Sequence, residues 1–166
     1  MKRAIVGLLA VFPCTLLAVS SPDSAFYKKA AQGGISEVEL GTLAQEKSSN
    51  EKVKDFGAMM VKDHSAANEK LKAIATSKDI SLPSKSSVAE MATKAKLEVL
   101  SGETFDKSYI KGMIKDHQKD IALFNKEIAS GQDADAKAFA TSTLPTLKSH
   151  LKAIKKIAAE AGVKAD

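Results

Sequence analysis

Apolar residues recur at helical spacing over most of the chain, and no alternating strand pattern appears. The spacing predicts a first helix from about Phe26 to Gln45, with Phe26, Ala30, Gly33, Glu37, Leu40, Gly41 and Ala44 on one stripe and Ile35 and Val38 flanking it. A second helix opens on Ser48-x-x-Glu51, a capping-box pattern, and carries Val53, Phe56, Met60, His64, Ala67, Leu71 and Ile74 to an end near Ser77. A third runs from Thr104 as cap to about Ala129 and buries Phe105, Tyr109, Met113, His117, Ile121, Phe124 and Ile128. The fourth, capped by Asp133 or Asp135, places Phe139, Thr143, Leu147, His150, Ile154, Ile157 and Ala161 inward, with Pro145 bending it before His150. Gly33, Gly34 and Gly41 each weaken the first helix by roughly 1 kcal/mol relative to Ala, which implies close approach of a neighbouring helix or room beside Glu37.

The connection from about Lys78 to Gly102 is too long for a turn. Ser81-Leu82-Pro83-Ser84 breaks the chain, Ser87-x-x-Glu90 caps a short helix with Val88, Met91, Ala92 and Ala95 on its apolar face, and Ser101-Gly102 closes it. If that segment runs back along the bundle, the second and third long helices are parallel, as in all-α four-helix bundles with one long crossover.

The polar members of these stripes stand out. Phe56 to His64 and Tyr109 to His117 both read aromatic-x-x-x-Met-aliphatic-Lys-Asp-His, which puts the aromatic, the Met and the His on one helix face. His64, His117, His150 and Glu37 each lie about 10 to 16 residues from the relevant helix end, so at 1.5 Å per residue one layer near mid-bundle can hold all four. Glu39 points to a different side of the first helix, where solvent is its expected surrounding.

Residues 1–20 read as a secretory signal peptide, with basic Met1-Lys2-Arg3, an apolar stretch from Ala4 to Ala18, and small residues before a cleavage point after Ser20. Cys14 is the only cysteine, so the domain over residues 21–166 has neither disulfide nor thiolate ligand. Without the leader's Lys2 and Arg3 the net charge falls from +5 to +3 and no arginine remains. A chain basic through lysine alone, with charges of alternating sign, lacks the forks that nucleic-acid recognition favours. A membrane-surface role through the lysines stays open but has no support, since no segment joins a basic face to large aromatics; the absence of tryptophan and the evenly spread charge suit a monomer or a weak dimer.

Buried imidazoles can be satisfied core residues, hydrogen-bonded to Asp63, Asp116 or Asp120. Several titratable groups in one layer are costly unless something neutralises them, and copper, iron, zinc or manganese would do so. Asp63 and Asp116 are turned about 100° from the histidines that follow them, so each is placed to orient a neighbouring imidazole. Met60 and Met113 serve as core filler or as thioether ligands of a copper site.

The run from Phe26 to Gly41, then Phe56-x-x-x-Met60-Val61-x-Asp63-His64, Leu82-Pro83, Met113-Ile114-x-Asp116-His117 and Leu144-Pro145-x-Leu147-x-x-His150-Leu151, resembles a bacterial exported domain of unknown function often labelled an outer membrane protein. The resemblance implies a ferritin-like four-helix bundle exported to the periplasm or cell envelope, with Glu37, His64, His117 and His150 at the family's polar positions and no established activity. The residues themselves offer no barrel strands. The Glu-x-x-His motif of di-iron bundles is missing, because Val61, Ile114 and Leu147 stand three before the histidines. Three readings follow. One is a metal-binding bundle with Glu37 and the three histidines as ligands. The second is a non-catalytic envelope or stress-associated protein whose polar layer fixes helix register. The third is an enzyme using a histidine and Glu37 as acid and base, for which no nucleophile or catalytic signature speaks.

Overall fold

The computed structural model describes residues 21–164; the expected leader over residues 1–20, Cys14 included, lies outside them. Five helices follow in order: α1 (Ser21–Lys47), α2 (Glu51–Ser77), α3 (Val88–Glu98), α4 (Gly102–Ser130) and α5 (Ala134–Glu160), with no strand among the described residues. The four long helices form the bundle, and α3 rides on the crossover against α1 and α4. Contacts between the helix ends fix the directions. Ser48 and Ser49 reach Asp106 at the start of α4, while Lys52 at the start of α2 pairs with Glu160 at the end of α5. At the other end Lys78 pairs with Asp133 and Asp135, and Asp23 accepts a hydrogen bond from the Gln132 N–H. Hence α2 and α4 run parallel, as the long crossover requires, and α1 and α5 run opposite to them.

Several helix ends differ from expectation. The first helix begins at Ser21 rather than Phe26: the turn before Phe26 is polar and leaves no apolar periodicity, but Asp23 suits a helix N-terminus and is tied to the α4–α5 corner. The cap of α2 is Asn50, whose side chain accepts from the Lys52 N–H; Ser48 is buried and donates to Asp106. Helix α4 starts at Gly102, two residues before the expected Thr104 cap. The capping box at Ser87 and Glu90 and the cap at Asp133 are present as expected. Pro145 lies within α5, which continues unbroken from Ala134 to Glu160. The short helix inverts its expected face: Val88, Met91, Ala92 and Ala95 are exposed and only Leu97 is buried. Polar ties hold α3 down, from Ser86 and Lys94 to Glu39 and from Lys47 to the Glu98 carbonyl.

Helices α1 and α2 bring their backbones into close contact where two glycines cross. A Cβ at Gly41 would lie 2.6 Å from the Gly57 carbonyl oxygen, and a Cβ at Gly57 would lie 2.6 Å from the Gly41 carbonyl. The core falls into two apolar halves. One gathers Leu40, Phe56, Met60, Met113, Ile114 and Ile154; the other gathers Phe26, Ala31, Leu71, Phe124, Phe139 and Leu147. Glu37, His64, His117 and His150 fall between these halves on α1, α2, α4 and α5, and all four are buried. Among the described residues no helix is long and apolar enough to cross a membrane.

Replacing Gly57 by Ala forces backbone apart at the crossing, and overpacking of about 1–3 kcal/mol outweighs the gain of about 1 kcal/mol in helix propensity. Gly112→Ala, with nothing within 4 Å of the added methyl, gains that propensity unopposed. Urea midpoints should therefore move in opposite directions for the two variants; a shift of the same sign in both would contradict the crossing.

Candidate metal centre

The helical repeat delivers each histidine one turn beyond a buried Met or Leu, on the inward stripe of its helix: Met60 before His64, Met113 before His117 and Leu147 just before His150. The three rings meet. Ring centroids of His64 and His117 are 5.8 Å apart, and His150 is 5.4 Å from each. One ligand nitrogen from each histidine lies within 4.8 Å of those of the other two. Phe56 walls the cluster, its ring 6.1 Å from that of His117 and 6.4 Å from that of His150.

Hydrogen-bond partners set the tautomers. His117 Nδ1 is 2.9 Å from the Met113 carbonyl, which can only accept, so Nδ1 carries the proton and Nε2 keeps its lone pair. His150 Nε2 is 2.9 Å from Asp63 Oδ2 and donates to that carboxylate, which leaves the lone pair on Nδ1. His117 Nε2 and His150 Nδ1 then face each other 3.4 Å apart. His64 Nε2 is buried without a hydrogen-bond partner. Burial holds all three rings neutral: it lowers the pKa of His64 to about 3, reinforced by His117 and His150, and that of His117 to about 4. It lowers His150 as well, against the opposing pull of Asp63.

Glu37 stands behind this group and outside it. Its Oε1 lies 3.7 Å from His117 Nδ1, the ring edge facing away from His150, and its Oε2 is buried with no partner. Burial and the nearby Asp120, Asp116 and Glu90 raise its pKa well above the carboxylate range. Asp120 lies against α1 at Gly33, where an added Cβ would meet its Oδ1 at 3.5 Å. Asp116 is held by Lys119 at 2.8 Å. Of the three aspartates, Asp63 alone hydrogen-bonds a histidine of the cluster. Met60 and Met113 are fully buried in the apolar half beside the layer. Ala67 and Thr143 lie on the expected inward stripes, but the cleft that they and Thr146 leave beside His64 and His150 was not foreseen; the signal available was the run of small and hydroxyl side chains within two turns of the histidines on α2 and α5.

The donor set fits a transition-metal ion. A metal–nitrogen bond of about 2 Å puts the ligating nitrogens of one ion roughly 3.3 to 4 Å apart, a span the 3.4 Å pair already has. The Asp63–His150 hydrogen bond matches the way a carboxylate fixes a ligating imidazole.

The same burial predicts a pH profile. A histidine whose folded pKa is depressed contributes stability in full above about pH 6.5, and this is lost as the pH falls toward the folded values. Asp120 runs the other way: burial, with Asp116 and Glu90, raises its pKa from 3.8 to about 7, so its contribution is full at low pH and is lost as the pH rises through that value. The two slopes oppose each other between roughly pH 4 and 6.5. Asp120→Asn removes the acid's share, so urea-unfolding stability of that variant should climb with pH across the window more steeply than the parent's; parallel profiles would mean that Asp120 is ionised in the fold.

Solved structures share this bundle. A DUF305 protein of Streptomyces coelicolor, predicted to be secreted, superposes with a TM-score of 0.73 at 17% identity, over 88% of this chain and 97% of its own. A DUF305 fragment from Deinococcus radiodurans gives 0.75 at 13% identity, over 86% and 98%. CopM in its Cu(I)-bound form gives 0.69 at 13% identity, over 83% and 96%, and it is also known in an Ag-bound form. At such identities the likeness shows the helical-bundle fold alone. No curated protein matches the sequence. A family model matches residues 15–157, and the chain belongs to that family, described as the domain of unknown function DUF4142.

Proposed function

We propose that this chain is an exported helical bundle that binds one transition-metal ion through His64, His117 and His150. The observation that carries the reading is the pair of imidazole lone pairs facing each other at 3.4 Å in a buried layer, with the unpartnered His64 Nε2 beside them. Two lone pairs at that distance repel unless a cation lies between them, and the low pKa values of the rings keep protons from taking that role at neutral pH. Glu37 acts in this reading as a neighbour that orients His117, and Asp63 fixes His150.

Three imidazoles suit copper or zinc, and the lack of a carboxylate among them favours a singly charged ion such as Cu(I) or Ag(I), whose burial costs less than that of a divalent ion. The bundle's likeness to CopM, which binds these two ions, supports that choice. Zn(II) is the runner-up, since imidazole suits it too. A role as a buffer or carrier of such ions fits the export expected from residues 1–20 and the predicted secretion of the Streptomyces relative.

A second reading has its own observation. The tilted and edge-on packing of the three imidazoles with Phe56 is that of a filled aromatic layer, which can serve to fix helix register.

The two separate by experiment. The chain, purified without a histidine tag and mixed with Cu(I) under reducing, oxygen-free conditions against a competing chelator, should retain close to one ion. An excess of free ion of about a hundredfold over Kd should raise its stability by about 2.7 kcal/mol. His64→Ala and His117→Ala should abolish both effects. No retention by a parent that unfolds cooperatively would overturn the metal reading, and a His64→Leu/His117→Met variant that folds as stably as the parent would then favour the register role.

A further inference from the structure

The histidines are closed off on three sides, and a cleft approaches them on the fourth. His117 is fully buried behind Glu37, Phe56 covers the rings of His117 and His150, and apolar side chains of the two core halves lie above and below. Between α2 and α5, a surface cavity of about 200 Å³ has His64 and His150 in its lining, together with Asp63, Lys70, Thr143 and Thr146. This volume is several times the roughly 30 Å³ that one water occupies, so a hydrated ion can enter it. The Asp63 side chain is 32% exposed and also bonded to His150, so one carboxylate touches both solvent and the cluster.

Structural metal sites are closed on all sides; here a cleft reaches the edge of the layer at His64 and His150, while His64 Nε2 itself stays buried. Asp63 puts a carboxylate at the mouth of the cleft, with Lys70 in the same lining, and that carboxylate is the group there that attracts a cation. We propose that the bound ion is exchangeable cargo, taken up and released through the cleft between α2 and α5, with Asp63 meeting it at the mouth. The inference rests on the metal reading above and adds the route and the exchange.

The test uses the whole chain and follows Cu(I) transfer to and from its coloured bicinchoninate complex, without oxygen. Ala66→Phe and Thr146→Phe place a ring in the cleft from opposite walls, at two exposed positions that line it. Each should slow uptake and release together, by about tenfold or more, and leave the equilibrium affinity unchanged, as an obstructed path does. Ser108→Phe, in the separate cavity beneath α3, should leave both rates as in the parent. Asp63→Asn keeps an acceptor for His150 but removes the charge; it should slow uptake by about tenfold at low salt and flatten its salt dependence. A parent that takes up no Cu(I) would fail the metal reading itself. A parent that binds while both ring variants, still folded by their cooperative melts, exchange at parental rates would overturn the route, as would a change in affinity that accounts for the change in rate. The two ring variants sit on different helices, so misfolding of one leaves the other to decide.

Discussion

The layer that separates the two apolar halves of the core governs the rest of the structure. Four titratable side chains enter it from four helices, and burial pushes each toward its neutral form, lowering the pKa of the imidazoles and raising that of Glu37. Neutral groups still need partners. His117 finds the Met113 carbonyl and His150 finds Asp63, and those two choices direct the remaining nitrogens toward one another. The bundle thus satisfies its outer hydrogen bonds at the cost of an inner set of unsatisfied lone pairs, an arrangement that apolar packing on either side holds in place.

Periodicity made most of this visible in advance. The four stripes, the mid-bundle height of Glu37 and the histidines, and the parallel run of α2 and α4 all follow from helical geometry and connection length, which act locally along the chain. The role of Asp63 toward a neighbouring imidazole was also legible, because the residue before a helical histidine points about 100° away from it. What periodicity left open depends on contacts across helices. That Glu37 meets the Nδ1 edge of His117 is decided by how α1 is rotated against α4. The cap at Asn50 displaced the capping box because Ser48 found a buried carboxylate, Asp106, 58 residues away.

The short helix shows the same limit from the other side. Its apolar stripe read as buried, but in so short a helix the polar flanks decided, through Glu39 and the Glu98 carbonyl, which face lies down. Local pattern predicts amphipathicity; it does not say which face a neighbour will hold when that neighbour offers carboxylates.

The bundle is made of two hairpins, α1 with α2 and α4 with α5, each packed more extensively within itself than against the other. The glycine crossing of Gly41 and Gly57 locks the first hairpin at one register. His64 belongs to that hairpin, and His117 and His150 belong to the second, so the layer straddles the seam between them. An ion gripped by all three would therefore be a rivet across the seam, joining two halves that the chain itself links only through the α3 crossover. In a protein whose single cysteine is Cys14, such a rivet would do mechanically what a disulfide does elsewhere, with the difference that it can be withdrawn.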